Sequence, residues 1–237
     1  MNKLAVVFGG TRGIGEATVK TLASQGWDVA YTYVSQKPAA HTGSTRVEAY
    51  AADICDLAQV QHVFAQVQKD FGRAPQCVVA NAGINIPPGP VGQFDPAVFR
   101  RVVEVNLIGA FHVLQQAAQH VADQGSIIGL TTSMVRIGVP GGGPYTATKA
   151  AVESLLRSMA KELAPRGVRV NGVAPGPVDT DLFHAGKTDE VKARSAALSP
   201  FNRIGKPQEV AEVIAFLASD KASWVHGQII QPNGGMI

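Results

Sequence analysis

The stretch "VVFGGTRGIGEA" (Val6 to Ala17) joins a short apolar run to a helical pattern through a turn that holds Gly9, Gly13 and Gly15. The N-terminus of a helix has unpaired N–H groups and a partial positive charge, so it attracts phosphate. Glycines also let the backbone approach a pyrophosphate without an intervening Cβ. The spacing is G-x-x-x-G-x-G, which differs from the general G-x-G-x-x-G fingerprint. Taken alone, the stretch is either a dinucleotide site or a tight strand–helix turn without a ligand.

Short β-branched runs alternate with longer helical patterns, which predicts an α/β fold with a parallel sheet and helices on both faces. The strand candidates are Lys3 to Phe8, Asp28 to Tyr33, Val47 to Ala52, Gln76 to Asn81, Ser126 to Thr132, Val168 to Val173 and Gly227 to Pro232. The helical patterns are Gly13 to Gln25, Asp56 to Phe71, Asp95 to Val121 (long enough for two helices), Tyr145 to Ala164 and Pro207 to Ser219. Asp56 is a predicted N-cap, and Pro207 suits a first helical turn.

The stretch from Ala174 to Lys206 is rich in Pro and Gly and has no clear hydrophobic period. Long loops inside compact domains are usually either functional lids or disordered. We therefore expect a long loop that can include a short helix, in which residues 182–206 form a lid over the substrate.

The composition favours one globular domain, because 46% of the 237 residues are hydrophobic and only 16% are charged. The net charge of +3 is scattered, so no nucleic-acid or membrane partner is expected. Cys55 and Cys77 form no C-x-x-C pair, which suits free thiols in a reducing compartment. The first apolar run is too short for a signal peptide, and no stretch approaches the roughly 20 apolar residues that span a bilayer. We expect a cytoplasmic protein.

The end of the second predicted strand, "YTYVSQKP", indicates which dinucleotide would bind. Enzymes that use NAD commonly place an acid there for the ribose 2′-OH, whereas a 2′-phosphate needs cationic and hydroxyl donors. No carboxylate follows Tyr33, but Ser35 and Lys37 do, and Arg12 lies inside the glycine turn. We predict a preference for NADP(H) over NAD(H). The other reading is that residues 35–37 are only a polar loop.

A second motif is the pair Tyr145 and Lys149 in "PYTATKAAVESLL". Residues four apart on a helix are neighbours, so the lysine can sit beside the phenol. A nearby cation favours the charged form of an acid and would lower the pKa of Tyr145 from about 10. At an effective dielectric near 20 the effect could reach about three pKa units. Tyr145 would then serve as a general acid and base near pH 7.

A cluster of hydroxyls, Thr131, Thr132 and Ser133, ends the fifth predicted strand. Hydride that arrives at a carbonyl carbon places negative charge on the oxygen, and a hydroxyl aimed at that oxygen would stabilise it. Small hydroxyl residues at a strand end are also common as β-formers or caps, so both readings stay open.

Taken together and in this order, the motifs resemble those of the short-chain dehydrogenase/reductase family from Lys3 to the C-terminal "NGG". They are "GGTRGIG" (Gly9 to Gly15), "ADI" with Asp53, "NAG" (Asn81 to Gly83), "NLIG" (Asn106 to Gly109), the Ser133 hydroxyl, "YTATK" (Tyr145 to Lys149) and "APGPVDTD" (Ala174 to Asp181). The resemblance implies a single-domain, Rossmann-type, doubly wound, seven-stranded parallel sheet over residues 1–237. It is strongest towards 3-oxoacyl-[acyl-carrier-protein] reductases and carbonyl reductases.

The resemblance also implies residue roles. Tyr145 would be the proton donor, Lys149 would lower its pKa and hold the nicotinamide ribose, Ser133 would orient the carbonyl, and Asn106 would hold a water against the lysine. The implied cofactor-binding residues are Gly9, Thr11, Arg12, Gly13, Ile14, Gly15, Ser35, Lys37, Asp53, Ile54, Asn81, Ala82, Gly83, Tyr145, Lys149, Pro175, Gly176, Val178 and Thr180. The six histidines form no H-E-x-x-H or similar spacing, so no metal is expected.

Three positions depart from the family pattern. Phe8 stands where threonine is usual, so a hydrogen bond near the glycine turn should be missing, and Ala80 replaces the first asparagine of N-N-A-G. Counted from Gly125, Thr132 falls where the family serine usually lies, and Ser133 is one residue closer to Tyr145. Because side chains alternate along a strand, only one of the two can face the site. We favour Ser133.

The sequence indicates the substrate less specifically than it indicates the cofactor and the reaction. The segments 182–200 and 138–144 should line its pocket, with His184 and Arg136 as polar candidates. We expect ketone-to-alcohol reduction of an acyl thioester or a small ketone. The alternatives are an NAD(H)-dependent alcohol or sugar dehydrogenase, a lyase or epimerase on the same fold, and a non-catalytic nucleotide-binding regulator.

Apolar residues occupy more than one face of the two central helical patterns. Phe111, Val113, Leu114, Leu155, Leu156 and Met159 cannot all face one sheet. They indicate either a deep core or a homotetramer (or homodimer) built on these helices.

Overall fold

A computed structural model describes residues 2–35, 38 and 43–237. Its seven strands are β1 (Leu4–Phe8), β2 (Asp28–Tyr33), β3 (Val47–Ala51), β4 (Cys77–Ala80), β5 (Ser126–Leu130), β6 (Arg169–Val173) and β7 (Ile229–Ile230). They form one parallel sheet in the order β3-β2-β1-β4-β5-β6-β7. The predicted doubly wound fold is confirmed. The order reverses between β1 and β4, the switch point where such sheets open a crevice for ligands.

The predicted helical patterns are also confirmed, with shifted ends. The helices are α1 (Gly13–Ser24), α2 (Leu57–Phe71), α3 (Pro96–Val103), α4 (Ala110–His120), α5 (Met134–Ile137), α6 (Gly143–Leu163), α7 (Asp181–His184), α8 (Asp189–Ala197) and α9 (Pro207–Ala218). A π-helical segment, Glu104–Gly109, joins α3 to α4. Asp56 caps α2 as predicted, because its carboxylate accepts hydrogen bonds from the backbone N–H groups of Ala58 and Gln59. Pro207 is the first residue of α9.

The segment after Ala174, expected to be a long loop that can include a short helix, contains two helices, α7 and α8. Thr180 and Thr188 cap these helices with their side chains. Neither helix buries a residue, so neither has the apolar period from which a helix is recognised in a sequence.

Two apolar clusters, one on each face of the sheet, make up the core. Val113, Leu114, Leu156 and Met159 are buried, which supports the deep-core reading for these four, whereas Phe111 is 41% exposed. Cys55 and Cys77 are unpaired thiols.

Helix α6 packs closely on the sheet because two glycines lie beneath it. Gly129 of β5 and Gly172 of β6 are paired in register. A Cβ at Gly129 would lie 2.7 Å from Cδ1 of Leu156, and one at Gly172 would lie 3.3 Å from the same atom. The missing methyl groups therefore let α6 approach β5 and β6. No helix in the described part of the chain is both long and apolar enough to cross a bilayer.

Candidate active site

A cleft of about 750 Å³ opens at the carboxyl end of the strands, where the strand order reverses. It is lined by twelve predicted cofactor residues: Gly9, Thr11, Arg12, Gly13, Ile14, Ser35, Asp53, Ile54, Asn81, Ala82, Gly83 and Thr180. The predicted residues Gly15, Tyr145, Lys149, Pro175, Gly176 and Val178 are not in its lining. Lys37 lies outside the described residues.

The glycine turn has the shape that a phosphate cradle needs. Gly9 and Gly13 have φ angles of 82° and 55°, a region that favours glycine. A Cβ on Gly15 would lie 1.9 Å from the backbone oxygen of Gly9, so no larger residue fits without moving the turn. Since the turn leads directly into α1, the residues present fit a dinucleotide pyrophosphate.

Phe8 cannot make the hydrogen bond expected of a threonine at its position, and the side chains of Thr32 and Asn81 hydrogen-bond to the turn. The Phe8 ring is fully buried and packs against Phe64, with ring centroids 5.7 Å apart. The backbone N–H of Gly9 donates instead to Oγ1 of Thr32, at 2.9 Å. On the other side, Nδ2 of Asn81 donates to the backbone oxygen of Gly9, at 2.7 Å. The turn is therefore hydrogen-bonded to the ends of both neighbouring strands.

The adenosine side of the cleft contains a cation that we did not select from the sequence. Arg101 of α3 lines the cleft together with Asp53 and Ile54, and its Nη1 lies 3.9 Å from Sγ of Cys55. The Asp53 carboxylate accepts a hydrogen bond from the backbone N–H of Cys55, at 2.9 Å. No motif or spacing marks Arg101, because only the packing of α3 brings it to this cleft.

Tyr145 and Lys149 lie on successive turns of α6, as predicted. The Lys149 side chain is buried, and its Nζ donates to the backbone oxygen of Leu130 at the end of β5, at 3.0 Å. A Cβ on Gly83 would lie 3.4 Å from that Nζ, so the lysine borders the residues that line the cleft. The pair thus stands next to the space for a dinucleotide.

The expected effect of the lysine on the tyrosine is not found in the chain alone. Burial raises the pKa of Tyr145 to about 12, whereas burial lowers the pKa of Lys149 to about 8. Desolvation disfavours the charged form of each group, and it is the cause of both shifts. The Lys149 ammonium is directed at the Leu130 carbonyl. The prediction that the pKa of the phenol is lowered towards neutrality is therefore wrong for this structure.

Asn106 lies in the π-helical segment and is fully buried. Its amide makes two hydrogen bonds to the backbone of Ile84: Oδ1 accepts from the N–H at 2.8 Å, and Nδ2 donates to the carbonyl at 2.9 Å. π-Helical turns occur frequently at functional sites. The amide fastens the segment after Gly83 to the helix, and the water-holding role stays a prediction.

The two hydroxyls proposed for carbonyl orientation differ in their free hydrogen-bonding capacity. Ser133 is fully buried; its Oγ donates to the backbone oxygen of Ala174 at 2.7 Å and accepts from Nδ2 of Asn233 at 3.2 Å. Oγ1 of Thr132 accepts from the backbone N–H of Met134 at 3.3 Å. Its proton has no acceptor among the described residues. The geometry thus favours Thr132 as a donor, whereas the sequence favoured Ser133.

The segment after β6 reaches the cleft only at its far end, where Thr180, Asp181 and Leu182 are in the lining. Pro175 and Val178 are buried, and the Gly176 backbone passes so close to Asn233 that a Cβ would lie 3.0 Å from its Cα. A Cβ on Gly13 would lie 3.0 Å from Cγ2 of Thr180, so the end of this segment contacts the glycine turn.

The two polar candidates for the substrate side have partners within the chain. Nε2 of His184 lies 2.6 Å from Oδ1 of Asp179. The Arg136 guanidinium pairs with Glu153, at 2.8 and 3.0 Å. Within the described residues no group of three His, Cys, Asp or Glu side chains is placed to hold a metal ion.

Comparisons with known proteins agree with this site. A family model described as "Enoyl-(Acyl carrier protein) reductase" matches residues 9–237. A "Short-chain type dehydrogenase/reductase" of Picea abies is 36% identical over alignments that cover 99% of this chain and 92% of that protein. The chain therefore belongs to the short-chain dehydrogenase/reductase family of NAD(P)-dependent oxidoreductases.

Two further relatives bear on chemistry and cofactor. A Staphylococcus aureus protein named 3-oxoacyl-[acyl-carrier-protein] reductase FabG is 36% identical, with 100% of this chain and 98% of that protein covered. A blue fluorescent protein from a metagenomic library, solved in complex with NADPH, is 32% identical with a TM-score of 0.88. That alignment covers 99% of this chain and 97% of the other chain.

Proposed function

We propose that this protein is an NADP(H)-dependent reductase that transfers hydride between nicotinamide and a ketone or secondary alcohol. The observation that carries the proposal is the position of Tyr145 and Lys149. Both lie on α6, and a Cβ added to Gly83, which lines the dinucleotide cleft, would lie 3.4 Å from Nζ of Lys149. A bound nicotinamide would supply the hydride. The chain supplies the proton and the oxyanion contacts.

Tyr145 acts as the general acid in this proposal. With a pKa near 12 it stays protonated at neutral pH, so it can donate to an oxygen that gains negative charge. Thr132 has a hydroxyl proton without a described acceptor and orients the same oxygen, with Ser133 as the alternative from the sequence. Lys149 holds the nicotinamide ribose through its ammonium group.

The choice of NADP(H) is supported by the charges around the adenosine end. Arg12 and Ser35 line the cleft, and no carboxylate follows β2 up to Ser35. A solved relative binds NADPH. A 2′-phosphate would gain charge-assisted hydrogen bonds from such donors, each worth about 1.5–3 kcal/mol.

The substrate class is a 3-oxoacyl thioester or a small carbonyl compound. The named Staphylococcus aureus relative supports the thioester, and this chain covers nearly its whole length. The segment 182–206 would act as the lid over either substrate. We place the protein in the cytoplasm, as the scattered charge and the two free thiols suggest.

The test measures NADPH oxidation with a panel of β-ketoacyl thioesters, diketones and cyclic ketones, for the wild type and Tyr145→Phe. We expect kcat to fall by about 10²- to 10⁴-fold in the variant, the usual contribution of a general acid. The Kd for NADPH should be unchanged, since the ring remains. Turnover that is equal in the two proteins would refute the mechanism.

The same assay decides the cofactor. We expect kcat/KM to be at least about 10-fold higher with NADPH than with NADH, because one lost charge-assisted bond to the 2′-phosphate accounts for that factor. A preference for NADH would refute the cofactor assignment while leaving the role of Tyr145 open to its own test.

A further inference from the structure

A carboxylate is buried on α6 beyond the two residues considered so far. Glu153 follows Lys149 by four residues, as Lys149 follows Tyr145, so the three side chains occupy one face of the helix. The Glu153 residue is only 1% exposed. A buried charge is costly unless it is paired and hydrogen-bonded. The hydrogen-bond partners that compensate the Glu153 charge therefore indicate the role of this residue.

Each oxygen of Glu153 has polar partners. Oε1 accepts from Nη1 of Arg136 at 2.8 Å and from Oγ1 of Thr131 at 3.1 Å. Oε2 accepts from Nη2 of Arg136 at 3.0 Å and from Nη1 of Arg157 at 3.5 Å. The Arg136 pair is bidentate, the geometry that fixes orientation best. The donors come from the residue after β5, from α5 and from α6 itself, so the cluster connects these elements.

The connected elements are the ones that hold the proposed reacting groups. Thr131 directly follows β5, and Arg136 lies on α5, so Thr132 and Ser133 stand between two points that Glu153 fixes. One turn earlier on α6, Lys149 binds the Leu130 carbonyl at 3.0 Å. Two consecutive residues at the end of β5 are thus held by two consecutive turns of the helix that carries Tyr145.

We propose that Glu153 is a positioning residue that sets the distance between Tyr145 and the hydroxyl of the segment 132–133. The proposal rests on the proposed function, in which those two groups act on one carbonyl oxygen. The contribution of Glu153 is to hold two hydrogen-bond donors in register, and a misplacement of about 1 Å in such a site can cost about 100-fold in rate.

The sharpest test compares Thr131→Val with Thr131→Ser. Valine has nearly the shape of threonine but lacks the hydroxyl that reaches Glu153, whereas serine keeps the hydroxyl and lacks the methyl. We expect Thr131→Val to lower kcat by between about 10- and 100-fold while the KM for NADPH changes less than about twofold. Thr131→Ser should retain kcat to within about threefold.

Glu153→Gln tests the same connection from the helix, because glutamine keeps an acceptor but loses the charge that binds Arg136. We expect a drop in kcat at least as large as that of Thr131→Val, again with little change in the KM for NADPH. Circular dichroism and the Tm would establish that each variant is folded at the assay temperature. If Glu153→Gln fails to fold, the two Thr131 variants decide the matter.

If folded Thr131→Val and Thr131→Ser have equal kcat values, the positioning role is overturned. This holds whether both values match the wild type or both are lowered. A fall in Tm without a fall in kcat would show that the cluster only stabilises the fold, and would also overturn it. Tyr145→Phe is assayed in parallel. If that variant keeps full turnover, the proposed function itself fails; if only the Thr131 and Glu153 variants keep it, the positioning role alone fails.

Discussion

At the scale of single residues, the site depends on how burial changes Lys149 and Tyr145. Burial makes the ammonium easier to deprotonate and the phenol harder to deprotonate, so their pKa values move to about 8 and about 12. Near pH 7 the chain holds a cation beside a neutral phenol, which is the protonation state that carbonyl reduction needs.

The pH dependence of reduction follows from these two values. Because the pKa of Lys149 is lowered, its ammonium form prevails below pH 8 and is lost above it, while Tyr145 stays protonated up to about pH 12. We expect kcat/KM for NADPH to be level from pH 6 to 7 and to fall as the pH rises through about 8. A profile measured from pH 6 to 10 checks this, and a level profile over that range would contradict it.

The choice between Thr132 and Ser133 can also be tested by substituting single residues. Ser133 gives its proton to Ala174, whereas the proton of Thr132 has no acceptor in the described structure. We expect Thr132→Val to lower kcat by about 10²-fold or more, the usual cost of losing one oxyanion donor. Ser133→Ala should change kcat less than about threefold, and a larger loss in the serine variant would restore the choice made from the sequence.

At the scale of elements, the sequence predicts those helices and strands that have a regular apolar pattern and those turns whose backbone conformation only glycine can adopt. The turn before α1 was predictable because its glycines mark a backbone that other residues cannot adopt, and β1 because it is apolar throughout. By contrast, α8 was not predictable, because an exposed helix has no apolar stripe. Two partners of Glu153, Arg136 and Thr131, lie 17 and 22 residues away in sequence and meet it only in the folded chain.

The packing of α6 on the sheet gives a prediction for an element. A methyl group added at Gly129 would lie 2.7 Å from Leu156, so either the helix or the leucine must move. We expect Gly129→Ala to lower the free energy of unfolding by about 1–3 kcal/mol, the usual cost of overpacking. Denaturant unfolding measures it.

Gly92→Ala is the matched control for that change. It adds the same methyl group in a short helical turn where nothing lies within 4 Å. Its unfolding free energy should stay within about 0.5 kcal/mol of the wild type, as is usual for a surface change. If Gly129→Ala is equally harmless, the helix is not held against the sheet as closely as described.

At the scale of the whole molecule, the surface of the continuous segment from α3 to α4 has apolar side chains that the described part of the chain does not cover. Phe99 of α3, Ile108 of the π-helical segment and Phe111 of α4 are 40%, 38% and 41% exposed. Exposed apolar groups on consecutive elements are typical of surfaces that bind another protein. We propose that this surface joins copies of the chain in a homotetramer or homodimer.

Light scattering on a gel-filtration column tests the assembly. We expect a mass of two or four times the 24.8 kDa of one chain, and a shift towards 24.8 kDa when Phe111 is replaced by Glu. Val191 of α8 is 42% exposed and serves as the control, because Val191→Glu places the same charge on another surface. A monomeric wild type would refute the proposal.

Helix α8 buries none of its residues, and this has a consequence for how the protein can change over evolutionary time. Mutations along that helix carry little folding penalty, so they can accumulate neutrally. Under the proposed lid role of residues 182–206, they would also alter the entrance to the substrate site. By contrast, we expect substitutions at Glu153, Lys149 or Gly129 to lower activity or stability. A mutant library confined to residues 189–197 should therefore yield many well-expressed proteins with altered substrate preference, all performing the same chemical step.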